Sequence, residues 1–263
     1  MAPQTDQSAS TPRLSLRDIT VRFGGLTALE SVSVDVHPGT VVGIMGPNGA
    51  GKTTLFNVVC GIYRPSIGTM AVDGTVVRPH PHTLTKHGIA RTLQGLGLFA
   101  GQSVLDNVVA GLQHDTRHTF VEELLSLPRA VRDEREKKDR AMAILEKLNV
   151  AAFAAAAPDT LPYAIRKKVS IARALVSNPS LLLLDEPAGG LGHDEIDELA
   201  QLIREIPQSG CAVVLVEHHV DLVMSVCDRI AVLDFGKLIA EGTPEQVSAD
   251  PAVTDAYLGV DAA

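Results

Sequence analysis

The chain has 263 residues, 45% of them apolar, and a formal net charge of −8. That length fits one large domain or a core with a subdomain, and the apolar share supports a substantial core. The acidic balance argues against nonspecific nucleic-acid binding, which needs a basic surface. No apolar run approaches the ~18 residues of a membrane span. The polar stretch from Met1 to Pro12 lacks the apolar centre of an export signal, and residues 1–13 read as a disordered tail. Cys60, Cys211 and Cys227 show no metal-ligand spacing and read as buried free thiols of a reducing compartment.

In chain order, Leu14 to Phe23 and Ser31 to Val36 read as two antiparallel strands joined through Gly24-Gly25. Aromatic residues make up only 3% of the chain, so Phe23 at a strand end is informative. It is either a platform that stacks on adenine or an ordinary core residue. Val41 to Met45 is a short buried strand. Gly46-Pro47-Asn48-Gly49-Ala50-Gly51-Lys52-Thr53-Thr54 follows and fits G-x-x-x-x-G-K-[ST] at every position. Leu55, Val58 and Val59 then sit at helical spacing, so the motif has the strand–loop–helix context it needs. Its glycines let the backbone curl into an anion nest, and the helix adds its N-terminal partial positive charge. Lys52 is placed to reach the β- and γ-phosphates of a nucleotide, and the Thr53 hydroxyl to bind Mg²⁺. A glycine-rich turn with a chance lysine is the alternative.

Ala71 to Val77 reads as a hairpin around Asp73-Gly74. His80 and His82 read as loop histidines. Ile89 to Gln94 is a short strand whose glutamine can reach a metal through its side-chain oxygen. The next segment is helical: one helix from Val104, one over Phe120 to Leu127, and a long one from Arg129 to Leu148. The mixed-sign run from Arg132 to Arg140 forms a solvated face there, and Ala141, Ile144, Leu145 and Leu148 form the buried side. After Pro162 another helix runs to Leu175. Arg166, Lys167 and Lys168 read as solvated charges.

Leu181 to Leu184 reads as a buried parallel strand that ends in Asp185-Glu186. Asp185 is placed to hold Mg²⁺ through a water, and Glu186 to polarise an attacking water. Asp194 to Ile206 is an amphipathic helix with an acidic first turn. Ala212 to Val216 is a further buried strand. It ends in Glu217-His218-His219, where a histidine can sense a γ-phosphate. Ile230 to Leu233 is a last core strand, Gly236 to Ala240 a small hairpin arm, and the chain closes in helices from Pro244.

With the glycine loop, Gln94, the Leu181-to-Glu186 run and His218 in this order, residues 14–258 resemble an ATP-binding-cassette (ABC) ATPase subunit. Finer features resemble the branched-chain amino-acid importer type: Arg22 to Leu29, Arg91-Thr92-Leu93-Gln94, Val216-Glu217-His218, Ala240 to Glu245 and Ala256-Tyr257-Leu258-Gly259. The resemblance implies an α/β P-loop NTPase fold of ABC-ATPase type. It has an antiparallel β subdomain, a helical subdomain at about 95–170 and a C-terminal tail at 259–263. It implies a transport-coupled ATPase that uses ATP and Mg²⁺. Phe23 is then the adenine platform, and Gly46, Pro47, Asn48, Gly49, Ala50, Gly51, Lys52, Thr53 and Thr54 the phosphate cradle. Thr53, Gln94 and Asp185 become the Mg²⁺ set. Glu186 is the general base and His218, preferred to His219, the γ-phosphate contact; Lys52 and Gln94 complete the catalytic group.

The implied partners are a second ABC ATPase subunit in a head-to-tail dimer, transmembrane permeases and, indirectly, a solute-binding protein. No nucleic acid is implied, and the implied place is the cytoplasmic face of the inner membrane. Two departures bear on the dimer. The family signature, usually Leu-Ser-Gly-Gly-Gln, falls on Leu161-Pro162-Tyr163-Ala164-Ile165, and Gly192 stands where Asp or Asn is usual. Both positions serve the opposite subunit's nucleotide, so the expectation is a heterodimer with unequal sites, with a homodimer as the alternative. A non-hydrolysing regulatory subunit and a soluble, non-transport ATPase of the same superfamily are the alternatives.

Overall fold

The computed structural model describes residues 11–92, 95–115 and 128–258. The helix expected over Phe120 to Leu127, residues 1–10 of the tail, the C-terminal tail 259–263 and Gln94 lie outside them. Among the described residues, β1 (Leu14–Phe23), β2 (Leu26–Val36), β4 (Ile67–Val72) and β5 (Thr75–Val77) form a four-stranded antiparallel sheet in the order β2-β1-β4-β5. A six-stranded sheet has the order β10-β9-β3-β8-β7-β6. Its strands are β3 (Val41–Met45), β6 (Ile89–Arg91), β7 (Leu181–Asp185), β8 (Ala212–Val216), β9 (Arg229–Asp234) and β10 (Lys237–Gly242). Its pairs are parallel except for β10 on β9.

The apolar runs that mark β3, β7, β8 and β9 are unbroken because both faces of this sheet are covered. Side chains alternate across it with period 2. Val41, Met45, Leu182, Leu184, Val213, Leu215, Ile230 and Val232 face one core. That core is closed by α4 (Tyr163–Leu175), α5 (His193–Glu205) and α6 (Val220–Val226), and by the helical segment made of α2 (Val104–Val109) and α3 (Pro128–Lys147). Val42, Ile44, Leu181, Leu183, Val214, Val216, Ala231 and Leu233 face a second core against the antiparallel sheet. Helix α1 (Lys52–Val59) fills it with Leu55, Phe56, Val58 and Val59. Helices α7 (Pro244–Ser248) and α8 (Pro251–Leu258) end the described chain. None of the described helices is long and apolar enough to cross a membrane.

The charged run on α3 pairs within itself, Arg132 with Glu136 and Lys138 with Glu134. Asp133 and Lys137 depart from the expected solvated face, because they pair while largely buried. Ala141, Leu145 and Leu148 are buried as their spacing requires. His80 and His82 stack on each other at 5.6 Å between centroids.

All three cysteines are free and buried. Burial pushes the Cys211 thiol up to about 11 and, with Asp228 beside it, the Cys227 thiol up to about 12. Burial raises Cys60 as well. The thiolate is the reactive form, so none of the three should take up iodoacetamide in the native chain at mildly alkaline pH. All three should react after unfolding in guanidinium. Mass spectrometry checks this, and a native-state adduct on Cys227 would contradict its burial.

Candidate functional site

Strand β8 lies between β3 and β7, with Ile44 opposite Val216 and Val216 opposite Asp185. The three strands therefore release Gly46, Glu186 and Glu217 at one carboxyl edge. In an open parallel sheet that edge is where ligands bind.

The loop after β3 is held by its own backbone and by its neighbours. The Ala50 N–H donates to the Pro47 carbonyl at 3.2 Å, and the Gly236 N–H of the β9–β10 turn donates to the Ala50 carbonyl at 3.0 Å. Gly46 has φ +146°, and a Cβ there would stand 2.1 Å from the Leu233 carbonyl oxygen. Only glycine fits that contact. Lys52 opens α1 and is buried. Its Nζ donates to the carbonyls of Gly46 at 2.7 Å and Pro47 at 2.9 Å. Burial lowers its pKa, and the nearby Glu186 charge opposes that. The lysine thus spans the mouth of the loop whose N–H groups form the expected anion nest.

Asp185 ends β7 half-buried. Burial raises its pKa first, and the Glu186 charge next to it adds to the rise; Arg91 works against both. A carboxyl crowded this way fits a site that gains a cation, which removes the repulsion between the two acids. Of the residues expected to hold Mg²⁺, Thr53 lies in the first turn of α1 and Asp185 ends β7, while Gln94 is not among the described residues. Glu186 leaves the strand with φ +45°, a conformation uncommon outside glycine. Its N–H donates to the Val216 carbonyl at 2.8 Å, and its carbonyl accepts from Lys167 Nζ at 3.1 Å. The turn is therefore clamped from two elements, and the Glu186 side chain starts from a fixed point.

Lys167 corrects the expectation for the basic run 166–168. It reaches across to the Glu186 backbone, Lys168 pairs with Glu198 at 2.6 Å, and Arg166 lies 5.5 Å from the Tyr163 ring centroid. Tyr163 in turn packs on the loop after Glu186: a Cβ on Gly190 would meet its ring at 3.1 Å. The start of α4 and the 187–192 loop, where the two sequence departures fall, are thus one contiguous surface.

Phe23 is 44% exposed and meets Tyr63 edge-on at 5.0 Å. It is a surface ring at the end of β1 and not a core residue. His218 and His219 follow β8, their rings 4.3 Å apart. Glu217, His218 and His219 bring potential ligand atoms within 4.8 Å of one another. The Glu217 carboxylate, however, already accepts from the Ala188, His218 and His219 amides and lies 3.0 Å from His219 Nδ1. Sequence reading gave Glu217 no role. Its signal is a carboxylate that ends a fully buried strand, as Asp185 does. Tyr257 of α8, in sequence only a feature of the importer resemblance, reaches the phosphate loop: its hydroxyl accepts from the Gly46 N–H at 3.0 Å.

Residues 29–189 match the family model for ABC transporters, and residues 237–263 match that for branched-chain amino acid ATP-binding cassette transporters. The high-affinity branched-chain amino acid transport ATP-binding protein BraF of Pseudomonas aeruginosa is 38% identical over 95% of this chain and 99% of its own length. LivG of Escherichia coli, with the same description, is 37% identical over the same shares. Among solved structures, the ADP conformation of MJ1267, an ATP-binding cassette of an ABC transporter, superposes with a TM-score of 0.81. It is 29% identical and covers 95% of this chain and 100% of its own.

Proposed function

Because the chain belongs to the ATP-binding subunits of ABC transporters, of the branched-chain amino-acid type, we propose that it hydrolyses ATP on the cytoplasmic face of the inner membrane to drive an importer. The solute is a branched-chain amino acid or a similar small polar molecule. The observation that carries this reading is the shared sheet edge. Phosphate loop, paired acids and histidines all leave adjacent strands there. The match of residues 237–263 to the branched-chain type supports the choice of solute.

In this reading ATP enters with its adenine against Phe23. Its phosphates draw Lys52 off the Gly46 and Pro47 carbonyls, and the loop amides after Pro47 hold them, while the Gly46 N–H stays on the Tyr257 hydroxyl. Thr53, Asp185 and Gln94 would hold Mg²⁺, which would supply neutralisation of phosphate charge. Glu186 takes the proton from the attacking water, and His218 contacts the γ-phosphate. Residues 95–170 act as a helical subdomain. Between it and β6 lies a groove of about 410 Å³ lined by Leu84, Ala90, Arg91, Phe99, Gly111 and Arg173. Phe99 is half exposed there. This groove suits a helix of a permease subunit.

The second ATPase subunit is a related but different chain. Pro162, the N-cap of α4, makes no side-chain cap hydrogen bond, and Gly192 has no side chain to offer. With Pro162, Ile165 and Gly192 at these places, the chain therefore complements a partner's nucleotide poorly, while its own phosphate loop keeps every element. The same poor signature is what favours a regulatory, non-hydrolysing subunit as the second reading.

The test is ATP-driven uptake of labelled leucine into proteoliposomes that hold this chain, its partner ATPase and the permeases, with the solute-binding protein outside. Uptake that needs both ATP and Lys52 supports the reading. ATP hydrolysis with no uptake of any branched-chain amino acid would remove this class of solute.

A further inference from the structure

Glu217 lies between the two loops to which hydrolysis is assigned. Its side chain is fully buried. One oxygen, Oε1, accepts from the Ala188 N–H at 2.7 Å, two residues beyond Glu186. The other, Oε2, accepts from the His218 N–H at 2.9 Å and the His219 N–H at 3.2 Å, with His219 Nδ1 at 3.0 Å. His218 Nδ1 stands 3.6 Å from the same oxygen. Burial on its own pushes this carboxyl up. The Ala188 amide, then the His219 ring, the His219 amide and the His218 amide, outweigh burial and hold it below its ordinary value. An unpaired buried carboxylate is costly, whereas one that accepts several N–H bonds stays ionised. The backbone of Glu186 is already tied to β8 through the Val216 carbonyl. The carboxylate adds a second tie between the same two segments, from Ala188 on one to Glu217 on the other.

We propose that Glu217 is a positioning residue for hydrolysis: its carboxylate locks the loop after Glu186 to the histidine loop, so that base and γ-phosphate contact keep one spacing. The proposal rests on the reading of Glu186 and His218 as the hydrolytic pair. The Glu217 carboxylate is buried and taken up by protein N–H groups. It acts by denying the two loops independent movement, and it fixes the His219 ring as the N-cap residue from which α6 starts.

Glu217→Gln keeps the shape but turns one acceptor into an NH₂ group that faces N–H donors. In the presence of the partner ATPase, kcat is expected to fall about 10–100-fold, as for a small misplacement of reacting groups. The KM and Kd for ATP should stay as in the wild type, because the phosphate loop is untouched. Glu217→Asp, which keeps the charge at a shorter reach, should recover part of kcat. A role confined to folding would leave kcat per folded molecule unchanged.

The second readout is amide hydrogen exchange followed by mass spectrometry or NMR. Ala188, His218 and His219 should be protected in the wild type, and all three should lose protection together in Glu217→Gln while α1 keeps its own. A folded Glu217→Gln chain with wild-type kcat overturns the proposal. So does fast exchange at Ala188 and His219 in the wild type, a result that stands even if the variant does not fold. Absence of turnover in the wild-type mixture would refute the hydrolytic reading, and the exchange pattern would still decide whether the lock exists.

Discussion

Glu186→Gln is expected to lower kcat for ATP about 10²–10⁴-fold, the usual loss when a general base is removed. That corresponds to about 2.7–5.4 kcal/mol of activation free energy. ATP binding should survive, because Lys52 and the loop amides after Pro47 belong to other elements. The fold should survive too. The strained φ of +45° at Glu186 is held by backbone contacts to Val216 and Lys167, and glutamine keeps both. The variant should therefore bind ATP, turn over slowly and melt no lower than the wild type. A variant with wild-type turnover would show that Glu186 is not the base.

Asp185→Asn should act in opposite directions on stability and on function. Burial and the adjacent Glu186 raise the Asp185 pKa, so the folded state favours the neutral form. A raised carboxyl contributes stability below its unfolded pKa, and that contribution is lost as pH rises through the folded pKa. At neutral pH the nucleotide-free Asp185→Asn chain should accordingly melt higher than the wild type. The gap should close as pH falls toward the ordinary aspartate value of 3.8. With Mg²⁺ and ATP the order should reverse. A ligand at a hundred times its Kd stabilises by about 2.7 kcal/mol, and the variant should forfeit most of the Mg²⁺-dependent share. Thermal melts with ATP alone, with Mg²⁺-ATP and with neither separate the two effects. A lower melting point for the nucleotide-free variant would mean that Asp185 is paired rather than crowded.

Most of the fold is legible in the chain because the central sheet is buried on both faces. Val41 to Met45, Leu181 to Leu184, Ala212 to Val216 and Ile230 to Leu233 are uninterrupted apolar runs, and the structure has strands at each. The amphipathic helices follow their 3.6-residue period in the same way. Strand β2 was read only from Ser31, yet it starts at Leu26. Leu26 and Thr27 are exposed there and follow the turn after β1, so no alternation marks them.

The candidate site is legible in sequence where its motifs are local. The phosphate loop and Asp185-Glu186 each carry their meaning within a few residues. The parts missed depend on contacts between distant segments. Lys167 reads as one charge of a basic run until α4 brings it to the Glu186 carbonyl. Tyr257 reads as a terminal aromatic until α8 brings its hydroxyl to Gly46. Glu217 shows its value only when Ala188 is found against it. Hydrogen bonds of this kind have no sequence period, and only the folded chain displays them.

The central claim is that this chain carries a complete phosphate site but completes its partner's site poorly. The most direct measurement is steady-state ATP turnover of the purified chain alone and mixed with the related ATPase subunit, with Glu186→Gln in parallel. The account predicts little turnover alone, turnover that appears in the mixture, and a mixture rate that drops when this chain carries Glu186→Gln. A homodimer of this chain that hydrolyses ATP cooperatively, with both sites turning over equally, would contradict it.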